Sequence, residues 1–160
     1  MRRRIGEKGF TATEVMIVLT IIGILGVIAL PAYFTFVQST RAAQAVAEIQ
    51  AVRAAVYLYY GDMGQWPREA AAGFVPVGIQ TNLPRNFAFR NNWYTLDYDN
   101  WLPLHRQGRA PAGTKIMVGV SLVSRDRKFL ERVDALIRDA KFTKVSQTKY
   151  ILEIATLDGF

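Results

Sequence analysis

The chain has 160 residues, 20 of them Lys or Arg against 13 Asp or Glu, a formal net charge of +7, one histidine and no cysteine. That length allows one domain and an anchor. The lack of cysteine excludes disulfides, thiolate chemistry and cysteine-ligated metals, so any globular part must be held by its core alone.

The basic residues are concentrated at the start. Arg2, Arg3, Arg4 and Lys8 precede a run at 15–30 that is apolar except for Thr20, Gly23 and Gly26. Removing residues 1–9 takes away four basic side chains and one acidic one, lowering the net charge from +7 to +4. Basic residues flanking an apolar run mark the cytoplasmic side of a membrane. Residues 10–31 as a helix would span about 33 Å, against a hydrocarbon core of about 30 Å, which is one crossing. Glu14 stands at the edge of this run. A carboxylate in lipid costs on the order of a few kcal/mol and therefore calls for a partner, which a second copy of the chain can supply.

Gly9, Phe10, Thr11 and Glu14, behind a short basic leader and ahead of an apolar helix, resemble the class III signal of type IV pilins and type II secretion pseudopilins. Pro31, followed by Ala32 and Tyr33, falls where that family has a proline that bends or loosens the helix. Ala12 and Thr13 depart from the two aliphatic residues usual there, which makes the first turn less greasy. The close match covers residues 9–33. The resemblance implies cleavage after Gly9 by a prepilin peptidase and N-methylation of the new terminus at Phe10. It also implies assembly through the N-terminal helix, with Glu14 as the registry charge and Pro31 as a helix bend. Two plainer readings compete. An ordinary secretory signal would be cut after its apolar region, where Leu30, Pro31 and Ala32 make a poor site. A plain signal anchor would have no use for Glu14 or for the Gly9–Phe10 step.

Beyond the apolar run, Ala42, Ala45, Val46, Ile49, Val52 and Val56 recur at helical spacing. They predict one helix over about 10–60, apolar all round in its first half and amphipathic in its second. Turn residues at 61–67 end it, and a breaker-rich stretch follows to about Asn92. Tyr94, Leu96 and Tyr98 alternate as a strand. Ile116, Val118, Val120 and Leu122 line one face of a strand over 115–124. Phe129, Leu130, Val133, Leu136, Ile137 and Ala140 form the apolar stripe of a second helix. Tyr150, Leu152 and Ile154 predict a last strand over 149–157. The expected fold is α+β: a long N-terminal helix packed against a small antiparallel sheet with one additional helix. Three segments follow: a leader at 1–9, a membrane or filament-core segment at 10–36, and an extracytoplasmic head at 37–160.

No catalytic motif emerges. His105 is the only histidine and has no nucleophile pattern around it, which predicts a loop residue and no enzyme. Asp97, Asp99 and Asn100 form an oxygen-rich cluster of the kind calcium favours, and major pseudopilins carry a calcium site in this part of the head. The spacing is not a complete loop motif, and the alternative is a turn between Tyr98 and Trp101 with solvated carboxylates. No metal or cofactor is expected. Arg85, Arg90, Arg106, Arg109 and Lys115 are interleaved with Trp93, Tyr94 and Trp101, a pattern that can grip nucleic acid. Without a recognised fold motif the reading is a solvated basic face, and nucleic acid is not expected as a partner.

The expected function is a structural subunit of a type IV pilus-like filament in a bacterium. It would be a single-pass inner-membrane protein before assembly, then part of a periplasmic or extracellular homo- or hetero-oligomeric filament. Its partners would be the membrane, the peptidase, the inner-membrane assembly platform and other pilin subunits. The alternatives are a type II secretion pseudopilin and, from another class, a non-assembling membrane-anchored binding module.

Overall fold

Helix α1 runs over Ala12–Met63, from two residues after the Gly9–Phe10 step to past the first predicted turn residue, Gly61. The computed structural model describes residues 9–106, 115–138 and 141–156. Residues 1–8 of the leader, Arg109, Ala140 and Leu157 lie outside the described residues, as do the side chains of His105 and Arg106. The chain divides into two compact units, one ending at Ser39 and one beginning at Thr40.

In the first unit the helix is apolar on every side and almost entirely exposed; Gly26 and Val37 alone are half-buried between residues 9 and 39. It is the one described helix long and apolar enough to cross a membrane. Pro31 lies inside α1 without ending it. Proline has no N–H, so the Val27 carbonyl lacks its usual helical donor. Hydroxyls bond back along the same segment: Thr35 Oγ1 donates to the Pro31 carbonyl at 3.0 Å, and Ser39 Oγ to the Thr35 carbonyl at 3.0 Å.

The second unit is a helix-and-sheet layer. Strands β1 (Thr95–Asn100), β2 (Ile116–Val123), β3 (Phe142–Lys144) and β4 (Lys149–Thr156) form an antiparallel sheet in the order β1-β2-β4-β3. Between them lie the short helix α2 (Leu102–Arg106) and helix α3 (Arg127–Ile137). Register brings Tyr98 opposite Val120, and Val120 opposite Leu152. These face the predicted stripe of α1, and Ala42, Ala45, Ile49, Val52 and Val56 are buried with Leu96, Leu122 and Ile154 in one core. Strand alternation and helical spacing thus meet on one apolar layer, which is the physical content of the α+β fold.

Loop residues cover the outer edge of β1. The Gly73 N–H donates to the Leu96 carbonyl at 3.0 Å and the Leu96 N–H to the Phe89 carbonyl at 2.6 Å. An edge strand paired in this way offers fewer free groups to another chain. At Gly119 a Cβ would lie 2.7 Å from Ile151 Cδ1, so glycine lets the isoleucine fill the face between β2 and β4.

Three expectations need correction. Leu136 belongs to the predicted stripe of α3 but is 49% exposed, whereas Phe129, Leu130 and Val133 are buried. The helix ends at a left-handed Arg138 (φ 47), so its last turn leaves the core. The turn expected between Tyr98 and Trp101 is instead the end of β1, with Asp99 and Asn100 buried. Strand β3 and helix α2 were not anticipated.

Candidate functional site

The start of α1 is organised by Thr11 and Glu14. Glu14 Oε2 accepts the Thr11 N–H at 2.8 Å and the Thr11 hydroxyl at 2.7 Å, while the Glu14 N–H donates to Thr11 Oγ1 at 3.2 Å. Each residue satisfies a backbone donor that an open helix end would leave orphaned, which is a capping box. The acid also sits at the positive end of the helix dipole. Both described hydrogen bonds to the Glu14 carboxylate fall on Oε2. Phe10, just ahead of the box, is 85% exposed. Sequence reasoning sought Glu14's partner in another chain and overlooked Thr11. The threonine followed three residues later by glutamate was the signal that identifies it.

The Asp97–Asn100 cluster is a cross-strand ion network. Lys149 Nζ on β4 lies 3.3 Å from Asp99 Oδ2 and 3.9 Å from Asp97 Oδ2. The Ser121 hydroxyl on β2 donates to Asp99. Asn100 Nδ2 donates to the Pro67 carbonyl at 2.7 Å, and its Oδ1 accepts the Leu102 N–H at 3.1 Å. Burial and the Asp99 charge push the Asp97 carboxyl above the usual carboxylate range, opposed by Lys149. Burial, Asp99 and Asp97 likewise raise Glu69, opposed by the Asn100 N–H and Lys149. Among the described residues no group of three or more His, Asp or Glu side chains is placed to hold a metal ion.

The neighbouring aromatics Trp93 and Tyr94 differ in exposure. Tyr94 is buried, stacked on Phe129 at 5.4 Å, with its hydroxyl donating to Glu48 Oε2 at 2.7 Å. Trp93 is exposed instead, and the Arg41 guanidinium lies 3.6 Å over its ring. Arg90 is held in a bridge to Thr95.

Similarity to known proteins points one way. The chain is 47% identical over 73 residues to the fimbrial protein EcpC of Eikenella corrodens, covering 46% of this chain and 48% of that protein. It is 41% identical over 92 residues to a type IV major pilin protein PilE1 of Neisseria gonorrhoeae, covering 56% of each. It is 48% identical over 50 residues to fimbrial protein Q of Moraxella bovis, covering 31% of this chain and 32% of that protein. These relatives support the type IV pilin family. The chain spans about half the length of the first two of these relatives and about a third of the last. No family model and no solved structure matches it significantly.

Proposed function

We propose that the protein is a structural subunit of a type IV pilus, held in the membrane by the first half of α1 and assembled through it. The observation that carries this reading is the helix that is apolar on every side and exposed along residues 12–36, with a carboxylate one turn from Phe10. Such a surface requires lipid or other helices around it. Exchanging lipid for a helix bundle swaps one apolar environment for another, so packing and ion pairing decide the register.

In this reading a prepilin peptidase cuts after Gly9 and the new amino terminus at Phe10 is methylated. On assembly Glu14 pairs with the amino terminus of Phe10 in a neighbouring subunit. The capping box leaves Oε1 for that second partner, so the same carboxylate closes its own helix and meets the incoming charge. The inner-membrane platform and the extracytoplasmic filament follow from the same class. The relatives' names, pilin and fimbrial protein, do not favour the secretion pseudopilin or the non-assembling module, and they support a structural rather than an enzymatic role.

Intact mass of the protein from its native cells tests the reading. A mass corresponding to a methylated chain beginning at Phe10 is expected, and Gly9→Val should abolish the cut. A native chain that retains Gly9 would overturn it.

A further inference from the structure

Trp93 combines exposure with immobility. The residue is 52% exposed, yet its backbone is fixed on both sides: the N–H donates to Asn91 Oδ1 at 2.9 Å, and the carbonyl accepts the Ser124 hydroxyl at 2.8 Å. Arg41 covers one face of the ring. The remaining face and edge of an indole held this way form a rigid apolar platform, already ordered before anything binds.

The ring stands between hollows. A hollow of about 360 Å³ is lined by Trp93 with Arg41, Gln44, Asn91 and Asn92. A second hollow of about 360 Å³ places Trp93 with Thr95, Ser124, Arg125 and Thr148. Through Gln44 and Asn91 the first continues into a hollow of about 450 Å³ that reaches Glu48, Arg85, Asn86 and Phe87. Together they make a groove with three arginines and one carboxylate. That carboxylate is engaged already, Oε2 by the Tyr94 hydroxyl and Oε1 by Gln44 Nε2 at 2.8 Å. Arg85 and Arg125 make no hydrogen bond or ion pair among the described residues.

We propose that this groove binds an acidic carbohydrate chain of the uronic-acid type. The C–H face of a pyranose ring fits the open indole, while the planar amides of Asn86 and Asn92 can meet neighbouring hydroxyls with donor and acceptor at once. A guanidinium grips a carboxylate through two parallel hydrogen bonds, and Arg85 and Arg125, at opposite ends of the groove, would hold acids of separate sugars. Each hollow is of ordinary small-ligand size, so the groove suits a chain of sugar units rather than one molecule. Single-stranded nucleic acid fits less well, because it uses successive stacking rings along a longer positive track, and here one ring is open.

Calorimetric titration of the full chain in detergent micelles tests this, with a short oligogalacturonate as probe, a neutral cello-oligosaccharide of equal length, and a single-stranded oligonucleotide of equal charge. Binding of the oligogalacturonate alone is expected. Arg125→Gln, Arg85→Gln and Trp93→Ala should each weaken it by at least about tenfold, which is ~1.4 kcal/mol. Lys144→Gln on β3, away from the groove, should leave it unchanged. Should Trp93→Ala lose its fold by circular dichroism, the two exposed arginines decide the outcome. Absence of oligogalacturonate binding, equal binding of the oligonucleotide, or indifference to both arginine changes would each overturn the proposal.

Discussion

Thr11 and Glu14 hold each other across the first turn of α1, the hydroxyl donating to Oε2 at 2.7 Å and the Glu14 N–H returning to the hydroxyl at 3.2 Å. This places the carboxylate at the helix mouth before any second subunit arrives. The local function (closing a helix end) and the proposed assembly function therefore share one side chain, and substitutions can separate them.

Thr11→Val keeps the shape and removes the cap. Loss of an N-cap side chain costs about 0.5–2 kcal/mol. Amide hydrogen exchange of residues 12–15 in micelles should speed up accordingly, with no change in the melting of the second unit. Unchanged exchange there would show that the box contributes nothing to the helix end.

Glu14→Val removes the charge and the bonds it accepts from the Thr11 N–H and hydroxyl, while the backbone N–H of residue 14 can still donate to Thr11 Oγ1. Cleavage, membrane insertion and folding of the second unit should persist while filament yield falls steeply. Thr11→Val should reduce yield far less, because the charge remains. Wild-type numbers of surface filaments from cells with only the Glu14→Val subunit would take Glu14 out of assembly.

Much of the fold was legible because it is periodic. Ala42, Ala45, Ile49, Val52 and Val56 announced the buried face of α1. Tyr94, Leu96 and Tyr98, with Val118, Val120 and Leu122, announced two strands, and each set is buried as expected. What was not legible depends on contacts far apart in the chain. Aspartate and asparagine are poor strand formers, so the stretch between Tyr98 and Trp101 reads as a turn, but Ser121 on β2 and Lys149 on β4 supply the donor and charge that let Asp99 sit in β1. Strand β3 has three residues and no pattern of its own; it is defined by pairing with β4, as when the Glu153 N–H reaches the Lys141 carbonyl at 2.9 Å. Thr11 is legible in the sequence as the threonine three residues ahead of Glu14, the spacing of a capping box.

The corrected stripe of α3 makes a direct contrast. Leu130 is fully buried, and Leu130→Ala should cost about 2–5 kcal/mol as a cavity-forming change. Leu136→Ala, on the half-exposed last turn, should stay within about 0.5 kcal/mol, the range of ordinary surface changes. Thermal melting followed by circular dichroism distinguishes them, and equal shifts would mean that Leu136 is packed after all.

Lys149 is the cation between Asp97 and Asp99, and its removal should reveal how the network is balanced. Taking one partner from a buried ion pair costs about 3–5 kcal/mol because the other charge is left uncompensated. Lys149→Met should therefore destabilise the second unit strongly. Adding Asp99→Asn to it should recover most of the loss, since Asn leaves no buried charge and can still accept from Ser121. If the double variant melts no higher than Lys149→Met, the lysine serves the fold by its packing and not by its charge.

The same network gives the second unit a pH dependence of definite sign. Asp97 and Glu69 both titrate above their ordinary range, burial being the larger cause and the neighbouring carboxylates the next. A raised carboxyl favours the protonated form in the folded state. Its contribution to stability is fully present below the unfolded pKa and is lost as pH rises through the folded one. Neutralising either group should thus help at pH 7, by removing a carboxylate that burial and the neighbouring Asp99 disfavour. Asp97→Asn is expected to raise the melting temperature at pH 7 and to have less effect at pH 4, because its raised pKa makes the wild-type group take up its proton earlier in the folded state than in the unfolded one as pH falls. Melting curves of wild type and variant across that interval report Asp97 together with its coupling to Glu69, which the Asp97 charge raises in the wild type. A variant that loses stability at pH 7 would show that attraction to Lys149 at 3.9 Å outweighs burial and the repulsion from Asp99.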